Sequence, residues 1–197
     1  TSGAPTWGGT CKLVSVGLDT TLANSYGGSW FGHSVGQTFY APTKRLQSIA
    51  VWRAAVQATS IIGMELVIVA TDSSGTPMLS QPILDGSTIV RSDGDGIHDT
   101  EFRWVFDPPL ELPEVGTYAF FLRQDPCAAY FDVIARSGDP SAYSGGHVWD
   151  TQRSPDCSLR RPADGYPNSD IIFDAEFCAD EVPVRRTSWG QVKLIYR

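Results

Sequence analysis

Long apolar runs are missing from this sequence. The best candidate, "GMELVIVA" at 63–70, is far short of the about 18 residues that a membrane-crossing helix needs, and it fits a buried strand instead. Closely paired cysteines are missing too. Cys11, Cys127, Cys157 and Cys178 form no CxxC pair, which removes the usual zinc-ligand spacing. There is no HExxH, no GxSxG and no phosphate-cradling Gly-rich loop ending in Lys-Ser/Thr. Histidine is scarce: His33, His98 and His147 fall in separate Gly-rich stretches. No Asn-x-Ser/Thr acceptor occurs, because Ser directly follows both Asn24 and Asn168. Positive charge is in short supply, with 15 Lys and Arg against 22 Asp and Glu and a net charge of −7. Such a balance excludes a phosphate-binding surface, hence nucleic acid. These absences predict a protein without catalytic residues, whose partners are sugars, metal ions or other proteins.

What is present is material for strands. Hydrophobic residues make up 42% of the chain, enough for a full core, and 19 Gly and 13 Pro are scattered without a period, as turns between short strands require. Period-two alternation recurs. Val35, Gln37 and Phe39 share a face. Leu46, Ser48, Ala50 and Trp52 share another, opposite Gln47, Ile49, Val51 and Arg53. Phe102, Trp104 and Phe106 line one side of a strand that "DPP" at 107–109 should end. Near the end, "DIIFDAEFC" sets Ile172, Asp174 and Glu176 against Ile171, Phe173, Ala175 and Phe177. No amphipathic helical pattern longer than about 10 residues precedes the last segment. The expected fold is all-β, a two-sheet β-sandwich of jelly-roll type over residues 1–178, with 179–197 as a linker and docking tail.

Four widely spaced cysteines in a Gly-rich β chain point to disulfides and an oxidising compartment. Of three possible connectivities, Cys127–Cys157 with Cys11–Cys178 is favoured: the first staples the long loop between its ends, the second ties first strand to last. A chain beginning at Thr1 rather than Met is expected to have lost a secretory leader, which makes the protein secreted, extracellular or on a cell surface.

Three candidate sites emerge. The stretch "SDGDGIHDTE" at 92–101 offers Asp93, Asp95, Asp99 and Glu101 as oxygen ligands for a structural calcium ion, although Ile97 stands where an EF-hand loop needs its third ligand. Trp30, Tyr143, Trp149 and Tyr166 sit in loop-like, Gly-rich surroundings and are the aromatics that a glycan would stack on. Trp52 and Trp104, on alternating strands, are assigned to the core. The third site is the C-terminal segment "TSWGQVKLIYR". As a strand it places Val192, Leu194 and Tyr196 together; as a helix, Trp189, Val192, Ile195 and Tyr196, with Ser188 and Gln191 as a capping box. Either way so short a segment needs a surface to dock on.

The succession "SVGQTFYAPTKRLQSIAVW", "ELVIVATDSSGTPMLSQPIL", "EFRWVFDPPLELPEVGTYAFFL", "DPSAYSGGHVWD" and "DIIFDAEF" resembles a broad group of secreted bacterial β-sandwich modules, similar to jelly-roll carbohydrate-binding domains. The resemblance covers roughly residues 34–178. It implies an envelope or matrix protein with no catalytic residue. The last eleven residues resemble a terminal T-x-W-G-x-[IV]-K-x-x-[YF]-R segment of exported bacterial proteins, matched at Thr187, Trp189, Gly190, Lys193, Tyr196 and Arg197. Together these imply an extracellular structural or adhesive subunit that self-assembles through its terminal segments, with copies of itself or other envelope proteins as partners. The alternative is a carbohydrate-binding module.

Overall fold

Period-two alternation becomes strands throughout the computed structural model, which describes residues 12–29, 33–55, 61–127, 131–139, 142–160 and 162–179. In chain order the strands are β1 (Leu13–Gly17), β2 (Ser25–Ser29), β3 (Val35–Ala41), β4 (Arg45–Arg53), β5 (Ile62–Thr71), β6 (Pro77–Asp85) and β7 (Val90–Ser92). They continue with β8 (Thr100–Glu111), β9 (Gly116–Asp125), β10 (Phe131–Ser137), β11 (Val148–Thr151), β12 (Pro162–Tyr166), β13 (Ser169–Ile171) and β14 (Phe173–Cys178). A front sheet runs β1-β14-β4-β10-β13, with β2 on β10 and β8 on β4. A back sheet runs β12-β11-β3-β9-β5-β6, with β7 on β5. The chain repeatedly crosses from one sheet to the other, and the two pack as an all-β sandwich in the jelly-roll manner. Among the described residues no helix is long and apolar enough to cross a membrane.

The core between the sheets is aromatic. Phe39 on β3, Phe120 on β9, and Phe173 and Phe177 on β14 are fully buried, with Leu46, Ile49, Val51, Leu66, Ile68 and Phe102 around them. The back sheet is also covered on its outer side. Val67, Val69, Ala119 and Phe121 point away from the core and are buried beneath Leu79, Trp149 and Leu159. This two-sided burial is why "GMELVIVA" reads as a continuous apolar run rather than an alternation. Tyr118 closes the β8–β9 turn: its hydroxyl donates to the Glu114 carbonyl at 2.7 Å and accepts from the Glu114 N–H at 3.1 Å.

Two strand assignments are corrected by the register. Leu46 does not share a face with Ser48. Their partners on β14, Phe177 and Glu176, are consecutive, so Gln47 is an extra residue and a bulge reverses the alternation there. Leu46 therefore joins Ile49 and Val51 in the core, while Ser48, Ala50 and Trp52 face outward. Nor does "DPP" end β8. Pairing with β4 jumps from Ser48–Val105 to Leu46–Leu110, and the strand continues to Glu111 around the prolines. Proline is tolerated because, among the described residues, β8 pairs only with β4, so an N–H is dispensable on its other side.

The disulfide Cys127–Cys157 forms, with 5.4 Å between the Cα atoms. Cys178 is also disulfide-bonded. Cys11, assigned above as its partner, lies outside the described residues, as do Trp30 and the tail positions Trp189, Val192, Leu194, Ile195 and Tyr196.

Candidate functional site

A groove of about 380 Å³ opens on the outer face of the front sheet, lined by Ser15, Gly17, Asp19, Trp52, Arg103 and Asp174 among others. Cross-strand register builds it. One row runs Gly17, Asp174, Ala50, Arg103 across β1, β14, β4 and β8. Gly17 and Ala50 are the small members, so Asp174 and Arg103 reach each other over Ala50. Their contact is 3.4 Å. A Cβ at Gly17 would lie 1.9 Å from the Phe173 carbonyl oxygen, so only glycine lets β1 approach β14 here. The next row, Ser15, Glu176, Ser48, Val105, brings Glu176 to 3.3 Å from Arg103, and the Ser48 hydroxyl oxygen accepts from the guanidinium at 3.1 Å. Glu101, opposite Trp52, takes the remaining edge of Arg103.

One guanidinium thus serves three carboxylates. Burial raises the Asp174 pKa, the neighbouring Glu176 charge adds to the rise, and Arg103 opposes it. Asp19 adds a fourth carboxylate at the groove rim, where its side chain accepts from the Thr21 N–H at 2.8 Å. Trp52 supplies an aromatic wall, half-buried against Leu18, Ala54, Ile134 and Ile172. The sequence reading placed Trp52 in the core. Its companions on the same face, Ser48 and Ala50, are small or polar, and that was the available hint that their face looks outward.

The acidic loop has other commitments. Asp95 accepts from the Ile97 and His98 N–H groups at 2.8 and 2.7 Å and contacts His98 Nδ1 at 2.6 Å. Asp99 accepts from the Ala55 N–H at 3.0 Å. Glu101 belongs to the Arg103 cluster, and Asp93 is at the loop's start. Among the described residues, no three His, Cys, Asp or Glu side chains are grouped so as to hold a metal ion.

The described loop aromatics are likewise dispersed. Tyr143 turns inward: its ring meets Phe173 edge-on at 5.2 Å, and its hydroxyl accepts from the Tyr40 N–H at 3.0 Å. Trp149 lies on the outer side of the back sheet in the row Gly165, Trp149, Gly36, Phe121, Val67. The glycines alternate with the rings for a steric reason. A Cβ on Gly36 would come within 2.6 Å of the Phe121 ring, and one on Gly165 within 2.8 Å of the His147 imidazole. His147 packs on Trp149 at 4.8 Å, and burial lowers its pKa. Tyr166 is exposed at the sheet edge opposite Val148. These three aromatics do not share one face.

A buried polar pair stands behind Tyr143. Asp170 is 2% exposed and accepts from Gln37 Nε2 at 2.9 Å, while Gln37 Oε1 accepts from the Ile171 N–H at 3.0 Å. Burial pushes the Asp170 pKa up to about 6, against an ordinary 3.8. The folded state therefore holds this proton more tightly than the unfolded chain. The stability it contributes is complete below about pH 4 and is lost as pH rises to about 6. By linkage, urea unfolding should show roughly 1–3 kcal/mol more loss between pH 4 and pH 6 in the wild type than in Asp170→Asn. Equal pH slopes for the two proteins would refute the assignment.

No protein-family model matches this chain, and no curated protein matches it.

Proposed function

We propose that this protein is a non-catalytic extracellular structural subunit whose C-terminal segment docks on another copy. The observation that carries this reading is the division of charge along the chain. Of 15 basic and 22 acidic residues, Arg185, Arg186, Lys193 and Arg197 fall in 185–197 with no acidic residue beside them. That leaves 11 basic against 22 acidic residues in 1–184, so a basic segment follows a strongly acidic body. The same segment carries Trp189, Val192, Leu194, Ile195 and Tyr196, each worth about 1.5–3 kcal/mol when buried. Opposite charge steers encounter and apolar burial holds the contact. A contact from one subunit's end to the next subunit's face is heterologous and propagates into rings or filaments. The cross-linked Cys127–Cys157 loop and the lack of a membrane-crossing helix among the described residues fit life outside the cell. The loose resemblance to secreted β-sandwich modules supports a bacterial envelope or matrix setting.

Sedimentation velocity tests the reading. The full chain should form concentration-dependent oligomers, and a chain lacking residues 182–197 should remain monomeric at the same concentrations. Equal assembly of the two, or a full chain that stays monomeric throughout, would overturn it.

A further inference from the structure

The groove on the front sheet has chemistry suited to that segment. Asp19 and Asp174 line it, and Glu101 and Glu176 adjoin it through Arg103, the one guanidinium that Glu101, Asp174 and Glu176 share, which leaves the cluster short of positive charge. Trp52 forms a wall of the same groove. An indole face beside carboxylates is a good receptor for a guanidinium or ammonium group, through cation–π attraction on one side and charge-assisted hydrogen bonds on the other. The larger groove beside β6, about 600 Å³, has the opposite character: Pro77, Met78, Leu79 and Leu159 line it, and its one charged lining residue is Arg160. It would receive apolar side chains but repel a cationic segment.

We infer that the Trp52–Asp174 groove is the receptor for the basic segment Arg185–Arg197 of a second copy. The inference rests on the assembly reading above and adds the surface that completes it. The occupant is committed by charge and by chain length. Eighteen residues follow Ala179, the last described position. Extended, such a stretch spans up to about 60 Å, which exceeds the width of a sandwich of this size. The four cations of 185–197 would meet a groove whose carboxylates Asp19 and Asp174, with Glu101 and Glu176 beside it, outnumber its one guanidinium. Docking of one subunit's segment leaves that subunit's own groove open to a third copy, so the contact propagates.

Mixing two variants of the full chain tests this. Asp19→Asn with Asp174→Asn disables the groove and keeps the segment. Arg185→Gln, Arg186→Gln, Lys193→Gln and Arg197→Gln disable the segment and keep the groove. Asp19 is exposed and Asn is isosteric with Asp, so both changes spare the fold; circular dichroism and melting curves verify this. Each variant alone should dissociate about tenfold or more readily than wild type. Their equimolar mixture should recover a one-to-one heterodimer, since one intact groove meets one intact segment. Failure of the mixture to form heterodimer, with wild type assembling, overturns the inference. Wild-type-like assembly by the groove variant alone, with the segment variant monomeric, places the receptor elsewhere and leaves the assembly reading standing. Wild type monomeric at all concentrations removes both.

Discussion

Phe39→Ala should lower the unfolding free energy by about 3–5 kcal/mol. Phe39 is fully buried, and its ring lies 6.3 Å from Tyr118 and 6.1 Å from Phe120, both on the back sheet. On the other side it lies 6.4 Å from Phe173 and 6.2 Å from Phe177, both on the front sheet. It is therefore one of the rings through which the two layers touch. Truncation removes its transfer free energy and also opens a cavity that rigid neighbours cannot close, because Phe173 and Phe120 already hold each other at 5.5 Å. A domain this size has roughly 5–15 kcal/mol in hand, so the variant should still fold in the cold and melt far earlier. Urea titration provides the measurement: the midpoint should drop with the slope unchanged. Phe39→Leu, which refills most of the space, should cost less than half as much. A loss below about 1.5 kcal/mol for the alanine variant would mean that the sheets meet elsewhere.

That ring was visible in the sequence as one of a period-two set, and so was most of the architecture. Alternation correctly sorted Phe173, Ala175 and Phe177 inward from Asp174 and Glu176, and Phe102 and Trp104 inward on β8. The Cys127–Cys157 pairing was legible from the long Gly- and Pro-rich stretch it had to restrain. The bulge at Gln47 was not. A bulge is a property of register between strands, and a single strand's pattern carries no record of how many residues face its neighbour. That one extra residue takes Leu46 off the face it was expected to share with Trp52, and the face that keeps Trp52 looks outward, onto the groove. The groove itself was illegible for the same reason. Asp19, Arg103 and Asp174 are separated by more than seventy residues each; the Gly17–Asp174–Ala50–Arg103 row brings Arg103 to Asp174, and Asp19 follows two residues after Gly17. Tyr143 failed in the opposite direction. Its Gly-rich neighbours look like an exposed loop, yet Gly146 runs so close to Thr38 that a Cβ would sit 2.2 Å from the Thr38 carbonyl oxygen. The backbone is pressed onto β3, and Tyr143, partly buried, packs against the core.

Replacing Cys127 and Cys157 together by serine should cost about 3–4 kcal/mol, the chain entropy freed by opening a loop of 30 residues. For a domain of this length that corresponds to a melting temperature lower by about 10 °C. Paired substitution is preferable to a reducing agent, which would also attack the bridge at Cys178. The effect should extend beyond the unfolded state. Among the described residues, the side-chain hydrogen bonds of Ser154, Asp156 and Ser158 stay within the stretch 152–160, and Leu159 in it covers Val67, Val69, Ala119 and Phe121. Its local order comes from Asp156, which accepts from the Ser158 hydroxyl at 2.8 Å and the Ser158 N–H at 3.2 Å. Those bonds shape the loop but do not fasten it to the sheet. Deuterium uptake should therefore rise across 152–160, and dye binding to the uncovered apolar face should rise with it, well below the melting transition. Leu159→Ala, with the disulfide intact, should reproduce the dye binding but little of the melting shift. If instead the double serine variant melts within about 2 °C of wild type, the bridge would be an accessory to a loop that packing already holds.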